Sequence, residues 1–293
     1  MTENQRPTNQ EIPPGLYLLA SPLGNLGDIS VRASLILKAV DLVVAEDTRR
    51  TVKLLNHLGI KKPLLSYREQ NHARAFPALK RALDEGGRIA LLSDAGAPLI
   101  SDPGARLVSE TREAGHNIWP IPGPSSVITA LMAAGFSSPC FTFAGFLPHS
   151  TLKRRARLEE LKSRPEVLVF FESPHRLTDS LEDMADILGP RQALMAREMT
   201  KIHEEYLYLD LVSLAQETRL NPRRGEVTIV VGPPNPGLSQ KDESFNPQDI
   251  LPIIEADTRP TRILASELAK TYGRSRKEMY DLVVKFRDGQ KNS

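Results

Sequence analysis

Between Gly15 and Gly232, short apolar runs alternate with segments of helical spacing, and this alternation restricts the fold more than any other feature. GLYLLA (15–20), DLVVAED (41–47), PLLSY (63–67), RIALLSD (88–94) and NIWPI (117–121) read as strands. Between them lie helical segments such as ISVRASLILKAV, whose spacing runs through Val31, Leu35 and Ala39. Strands separated by helices predict parallel βαβ units in an open sheet covered on both faces. A second series follows: FTFAGF, EVLVFFES, QALMARE, EEYLYLDL and GEVTIVVGP, with helices LKRRARLEELKS and HRLTDSLEDMADILG among them. This half carries more strand signal and predicts a mixed sheet.

The punctuation between the two series, IPGPSS (121–126), marks a domain junction. A chain of 293 residues also exceeds one typical domain. The expected division is a disordered tail at 1–14, an α/β domain at 15–122, a second at 123–233, a linker at 234–249 and a basic helical extension at 250–293. The tail lacks the basic start and apolar core of a signal peptide. The extension reads as two helices joined at Tyr272-Gly273-Arg274, with a capping box from Ser275 to Glu278 and Met279, Leu282, Val283 and Phe286 on one apolar face. Residues 258–293 hold nine Lys/Arg against four Asp/Glu, a net of +5, whereas the whole chain carries only +2. Any contact with nucleic acid must therefore rest on local patches. The extension is open to two readings, a solvated or docked helical tail or an RNA-contacting pair.

One cysteine, Cys140, excludes an intrachain disulfide and a cysteine metal cluster, and it suits a reducing cytoplasm. The most apolar stretch, SSVITALMAAGFSSPCFTFAGF, is interrupted by Gly135 and Pro139 and is no bilayer span.

Loops at the carboxyl ends of strands in open α/β sheets are where ligands bind. LLSDAGAPLISDPG (91–104) is such a loop, longer than the ~2–6 residues that connection alone requires. SPLGNLGD, IPGPSS and ESPHR are placed to converge with it on one cleft. Dinucleotide and P-loop glycine signatures, the zinc-protease helix motif and the hydrolase nucleophile elbow are all missing. The six histidines lack ligand spacing, so no metal site is expected.

SPLGNLGDIS, AEDTRRT, SDAGAPLISDPG, PIPGPSS, FFESPHR and AREMTKIHEE, in this order, resemble the ribosomal small-subunit RNA 2′-O-methyltransferase I family (RsmI) of the tetrapyrrole-methylase superfamily. The resemblance covers about Gly15 to Pro233 and extends to the basic helices beyond. It implies two α/β domains with a cofactor cleft between them, plus a small C-terminal helical extension, and a homodimer. The implied cofactor is S-adenosyl-L-methionine (SAM). The implied reaction is 2′-O-methylation of a cytidine ribose in the decoding centre of 16S rRNA, with the 30S subunit as substrate. Carried onto matching positions, cofactor binding falls to Leu23, Asp94, Ile100, Ser125 and Ser126, with Phe171, Ala196 and Thr228 as looser matches.

The residue chemistry agrees with this placement. Asp94 can accept from a ribose or an ammonium, and Ser125 with adjacent amides can hold a carboxylate at a helix start. Capping is the competing role for both. Gly96 and Pro98 are expected to set the backbone for close approach to a ligand. For the hydroxyl, the AREMTKIHEE loop offers Glu198 or Lys201 as the assisting group, with Arg197 and Arg49 on phosphate. Arg50 and the run Lys153, Arg154, Arg155 and Arg157 are further RNA candidates, or simply charged helix faces, and Asp47 is a candidate helix cap. Two other functions remain open at this stage: a sister SAM methyltransferase acting on a tetrapyrrole or a modified protein, and a non-catalytic 30S assembly factor.

Overall fold

The computed structural model describes residues 12–234, 247–257, 259–272 and 276–291. The first half runs β1 (Gly15–Leu19), α1 (Val31–Ala39), β2 (Leu42–Ala45), α2 (Thr48–His57), β3 (Leu64–Ser66), α3 (His72–Asp84), β4 (Arg88–Leu92), α4 (Ala105–Glu113) and β5 (Ile118–Ile121). Its sheet has the order β3-β2-β4-β1-β5, and every pairing is parallel. The period of two along each strand divides the core. Tyr17, Leu19, Val43, Ala90 and Leu92 pack with α1 and α2 side chains on one face, and Leu16, Val44, Ile89 and Leu91 pack with Leu79, Leu83 and Leu107 on the other. The central neighbours β1 and β4 send the chain on in opposite directions, to β2 and to β5. Such a switch point opens a crevice beyond the strand ends.

The second half runs α5 (Ser126–Ala134), β6 (Phe141–Phe146), α6 (Thr151–Lys162), β7 (Val167–Glu172), α7 (Leu177–Leu188), β8 (Gln192–Arg197), β9 (Glu205–Asp210), α8 (Leu211–Leu220) and β10 (Val227–Val231). Its order is β6-β7-β10-β8-β9; only β6–β7 is parallel, so the sheet is mixed as expected. Helices α6, α7 and α8 cover one face around Phe170, Met195 and Ile229. Helix α5 covers the other with Val127, Ala130 and Ala134. It thus belongs to the second sheet, while its first residue lies just past the end of the first.

Beyond the body come α9 (Leu251–Ala256), α10 (Thr261–Thr271) and α11 (Arg276–Lys291). Ile250, Ile254, Leu264, Leu268, Met279 and Val283 close a core of their own, and Leu282 and Phe286 pack against it. The apolar face expected for the last helix is therefore used within the extension. Most of the expected linker, and the capping box from Ser275, lie outside the described residues; Pro247–Ile250 is a short 3₁₀ turn. Among the described residues no helix is long and apolar enough to cross a membrane.

Three expectations need correction. Helix α1 buries Ala33, Ile36 and Leu37, and it leaves Val31 78% and Leu35 40% exposed, so the spacing found the helix but not its inner face. The expected tail of residues 1–14 does not hold at its inner end, because Ile12 to Pro14 are tied to the sheet. Tyr17 Oη donates to the Pro13 carbonyl, Arg88 Nε to Ile12 and Trp119 Nε1 to Pro14; residues 1–11 lie outside the described residues. Arg154 is no surface cation. It is 4% exposed, and its Nε donates to Asp183 Oδ2 at 2.6 Å across the α6–α7 contact, which removes it from the phosphate-binding candidates.

Candidate active site

The loops after β1 and β4 are joined to each other before they meet anything else. The Ser21 amide donates to the Gly96 carbonyl and the Gly96 amide to the Ser21 carbonyl, both at 2.9 Å. Ser21 Oγ donates to the Ser93 carbonyl at 2.8 Å, and Ser93 Oγ to Gly96 at 2.6 Å. Gly96 has φ +76°, and a β-carbon there would sit 3.2 Å from Leu23. The left-handed backbone at this glycine thus lets the two loops pair beside Leu23, Asp94, Ala95 and Ala97, which line the cavity.

Between the two sheets lies a cavity of 380 Å³. The first domain supplies Leu23, Arg50, Asp94, Ile100, Ser101 and Asp102; the junction supplies Ser125 and Ser126; the second domain supplies Phe146, Phe171, Glu172, Met199, Glu226 and Thr228. Seven of the eight expected cofactor residues are brought together: Leu23, Asp94, Ile100, Ser125, Ser126, Phe171 and Thr228. The eighth, Ala196, is fully buried and lies behind the wall, paired with Thr228 across β8 and β10. All four expected loops reach the cavity or its edge.

Local chemistry explains each position. Ser125 caps α5, its Oγ accepting from the Ile128 amide, so the competing role is real and leaves the helix start facing the cavity. Asp94 is no helix cap: its Oδ1 accepts from the Asp47 amide at 3.1 Å and its Oδ2 lies 3.8 Å from Arg50 Nε. Asp47 caps α2 through the Arg49 amide, as expected, and also holds the Arg49 side chain. Arg49 is nonetheless 86% exposed and lies off the cavity wall. Glu172 is engaged from several sides, accepting from the Ser173 amide at 2.8 Å and from Ser180 Oγ at 2.6 Å, with Arg176 Nη2 at 3.5 Å.

The AREMTKIHEE loop borders the cavity through Met199 and turns its charged groups on one another. Lys201 Nζ donates to Glu198 Oε1 at 2.9 Å and to Glu226 Oε2 at 3.0 Å, and the Glu226 amide donates to the same Glu198 oxygen. Burial opposes charge on Glu198, but the Glu226 amide and the Lys201 ammonium outweigh it and hold the carboxyl below its usual range. Burial likewise disfavours the Lys201 ammonium, yet its two carboxylate partners push its pKa up. At neutral pH the pair is ionised and satisfied, and neither member lines the cavity. Arg197 is bound to Glu205 at 2.7 Å and to the Arg224 carbonyl. On α6, Arg155 faces Asp183 and Asp186, Arg157 faces Glu160, and Lys153 is exposed. The basic run is therefore largely matched by acids.

Asp102, Phe146, Met199 and Glu226 line the cavity and were not singled out from the sequence. Asp102 stands within the long loop whose length was the signal. Glu226 had no sequence signal at all.

The family model for Tetrapyrrole (Corrin/Porphyrin) Methylases matches residues 15–215, the span of both sheets up to α8, and the chain belongs to that class. The fold agrees. A cobalt precorrin-4 methyltransferase of cobalamin biosynthesis superposes with a TM-score of 0.58 at 18% identity, covering 74% of this chain and 94% of its own. A uroporphyrin-III C-methyltransferase from Thermus thermophilus, solved with S-adenosylhomocysteine, gives 0.53 at 18% identity, covering 74% and 96%. Within the class, the chain is a member of the ribosomal RNA small subunit methyltransferase I family. The Mesorhizobium japonicum protein of that name is 42% identical over 277 residues, 94% of this chain and 93% of its own length. The Escherichia coli O157:H7 protein is 41% identical over 272 residues, 90% and 93%. The Thermotoga maritima protein is 44% identical over 216 residues, which is 97% of its length but 74% of this chain.

Proposed function

We propose that this protein uses SAM to methylate the ribose 2′-hydroxyl of a cytidine in the decoding centre of 16S rRNA, within the 30S subunit. The observation that carries this reading is a cavity into which the loops of both sheets converge, in a chain of this family. Its 380 Å³ falls within the range of about 300–1,000 Å³ for sites of small ligands. Leu23, Ile100, Phe146, Phe171 and Met199 give it an apolar wall fit for a purine. Asp94 offers a carboxylate to a ribose diol or an ammonium, and the α5 start at Ser125 and Ser126 offers amides to a carboxylate. When bound, SAM supplies a methyl group already activated by a sulfonium. The chain's own task is to hold the hydroxyl in line behind that methyl and to take up its proton.

Arg50 at the cavity and the exposed Arg49 and Lys153 are the cations this reading assigns to phosphate. The homodimer implied by the family resemblance would cover apolar side chains that α1 and α5 leave exposed, among them Val31 and Met132.

Purified protein with methyl-labelled SAM and 30S subunits from a strain lacking this gene tests the reading, with naked 16S rRNA alongside. Label recovered as 2′-O-methylcytidine, and lost in Asp94→Ala, is the expected result. Measurable SAM binding with no label in either substrate would overturn it.

A further inference from the structure

Four carboxylates line the cavity, and the structure treats them differently. Asp94 is held by the Asp47 amide and faces Arg50; Glu172 is held by Ser173, Ser180 and Arg176; Glu226 accepts from Lys201. Asp102 alone has no hydrogen-bond or ion-pair partner among the described residues. Its surroundings nevertheless hold it in place. Leu99 and Ser101, neither of them glycine, take φ of +73° and +65°, and the Gly104 amide donates to Glu69 Oε1 at 3.0 Å. Left-handed backbone at non-glycine residues is strained and persists where the fold enforces it. The loop thus fixes a half-buried carboxylate at a cavity wall and gives it nothing to bind.

We propose that Asp102 is the catalytic base of this enzyme, the group that accepts the proton of the ribose 2′-hydroxyl as that oxygen is methylated. The step balances. The O–H bond breaks and its proton passes to an Asp102 carboxylate oxygen; the ribose oxygen keeps the electron pair and bonds the methyl carbon, and the pair of the breaking carbon–sulfur bond stays on sulfur. Asp102 then returns the proton to solvent. The charged groups around it agree. Burial first, then Glu46 at the end of β2 and Asp94 at the end of β4, raise its pKa to about 6. Arg50 on α2 shares the cavity and lies 3.8 Å from Asp94, and the second domain contributes Glu172 and Glu226 to the lining. A carboxylate in this state is ionised at neutral pH and is a stronger base than an ordinary one. Glu198 and Lys201 fit the role less well, since each is committed to the other.

The proposal rests on the cavity being the SAM site, and the test separates the two. For Asp102→Asn, calorimetry should give SAM affinity within about threefold of wild type, while single-turnover transfer to 30S subunits falls by about 10²–10⁴-fold, the usual worth of a general base. The wild-type rate should rise with pH through a midpoint near 6 and then level, and Asp102→Asn should lose that limb. Asp102→Glu should recover part of the rate. Independently of turnover, carbon-13 NMR of labelled aspartate should show one carboxyl titrating near 6 that is missing from Asp102→Asn. Unchanged transfer in Asp102→Asn, or a loss confined to SAM affinity, would overturn the assignment of Asp102. Wild-type SAM affinity in Asp94→Ala would instead remove the cavity reading, and the proposal with it.

Discussion

Gly24 lies against the stem of Lys201: a β-carbon at position 24 would come within 2.1 Å of Lys201 Cγ. The contact joins the loop after β1 to the loop after β8, and the Asn25 amide donates to Thr200 Oγ1 beside it at 3.0 Å. The two domains meet here at the rim of the cavity.

Gly24→Ala should therefore act at a distance from the ligand. Lys201 must leave its place between Glu198 and Glu226, or the loops must part. Overpacking of this kind costs about 1–3 kcal/mol. A loss of about tenfold in SAM affinity by calorimetry, with a melting temperature lowered by a few degrees, is the expected outcome. Unaltered affinity would show that the rim contact does not shape the cavity.

Arg154 and Lys153, adjacent on α6, should separate cleanly. Removing the buried Arg154 leaves Asp183 Oδ2 without its partner and only the half-exposed Arg155 on the other oxygen, at about 1–3 kcal/mol. Arg154→Ala should accordingly lower the urea midpoint strongly, and Lys153→Ala should leave it within error. Replacing exposed Lys153 should affect only binding to 30S subunits.

Asp102→Asn should stabilise the protein at neutral pH even as it slows the reaction. The folded pKa, about 6, lies above the unfolded value of about 3.9, so the native state holds more protons between them. Stability from this group is thus greatest below pH 4, falls as pH rises to 6, and stays reduced above. The asparagine variant escapes that loss, which is on the order of 1 kcal/mol once solvent screening of a half-buried group is allowed for. Melting curves of both proteins at pH 4 and pH 7.5 check it: the advantage of the variant should exist at the higher pH alone.

Truncation after Pro234 should leave SAM affinity and the main melting transition in place. The extension closes its own core, and the Thermotoga maritima relative has a length that the two-sheet body alone accounts for. Binding to 30S subunits should weaken and become less steep in salt, because the nine Lys and Arg of residues 258–293 are gone with it. An unchanged salt slope would take the extension out of RNA contact.

The strands were legible because each apolar run is short and bounded by turn residues, and the mixed second sheet followed from the strand-rich pattern around EEYLYLDL. The inner face of α1 was not. Val31, Ala33, Leu35, Ile36, Leu37 and Ala39 surround the helix, so periodicity alone admits more than one face. Arg154 was unreadable for a different reason: its partner lies on α7, and only the packing of the two helices decides which member of a basic run turns inward. The cofactor loops were found through turn chemistry and resemblance. What sets Asp102 apart is the lack of a partner among the described residues, and sequence records residues, not the contacts between them.

The paired amides of Ser21 and Gly96 have a consequence for how such a site can change over generations. A link made of peptide groups is indifferent to most side chains beside it, so specificity can drift through substitutions at Leu23, Ile100 or Phe171 without the two loops parting. The inheritance is fragile at Gly96. Any side chain at position 96 must adopt a backbone that L-residues rarely take, and that single exchange would unseat both loops together.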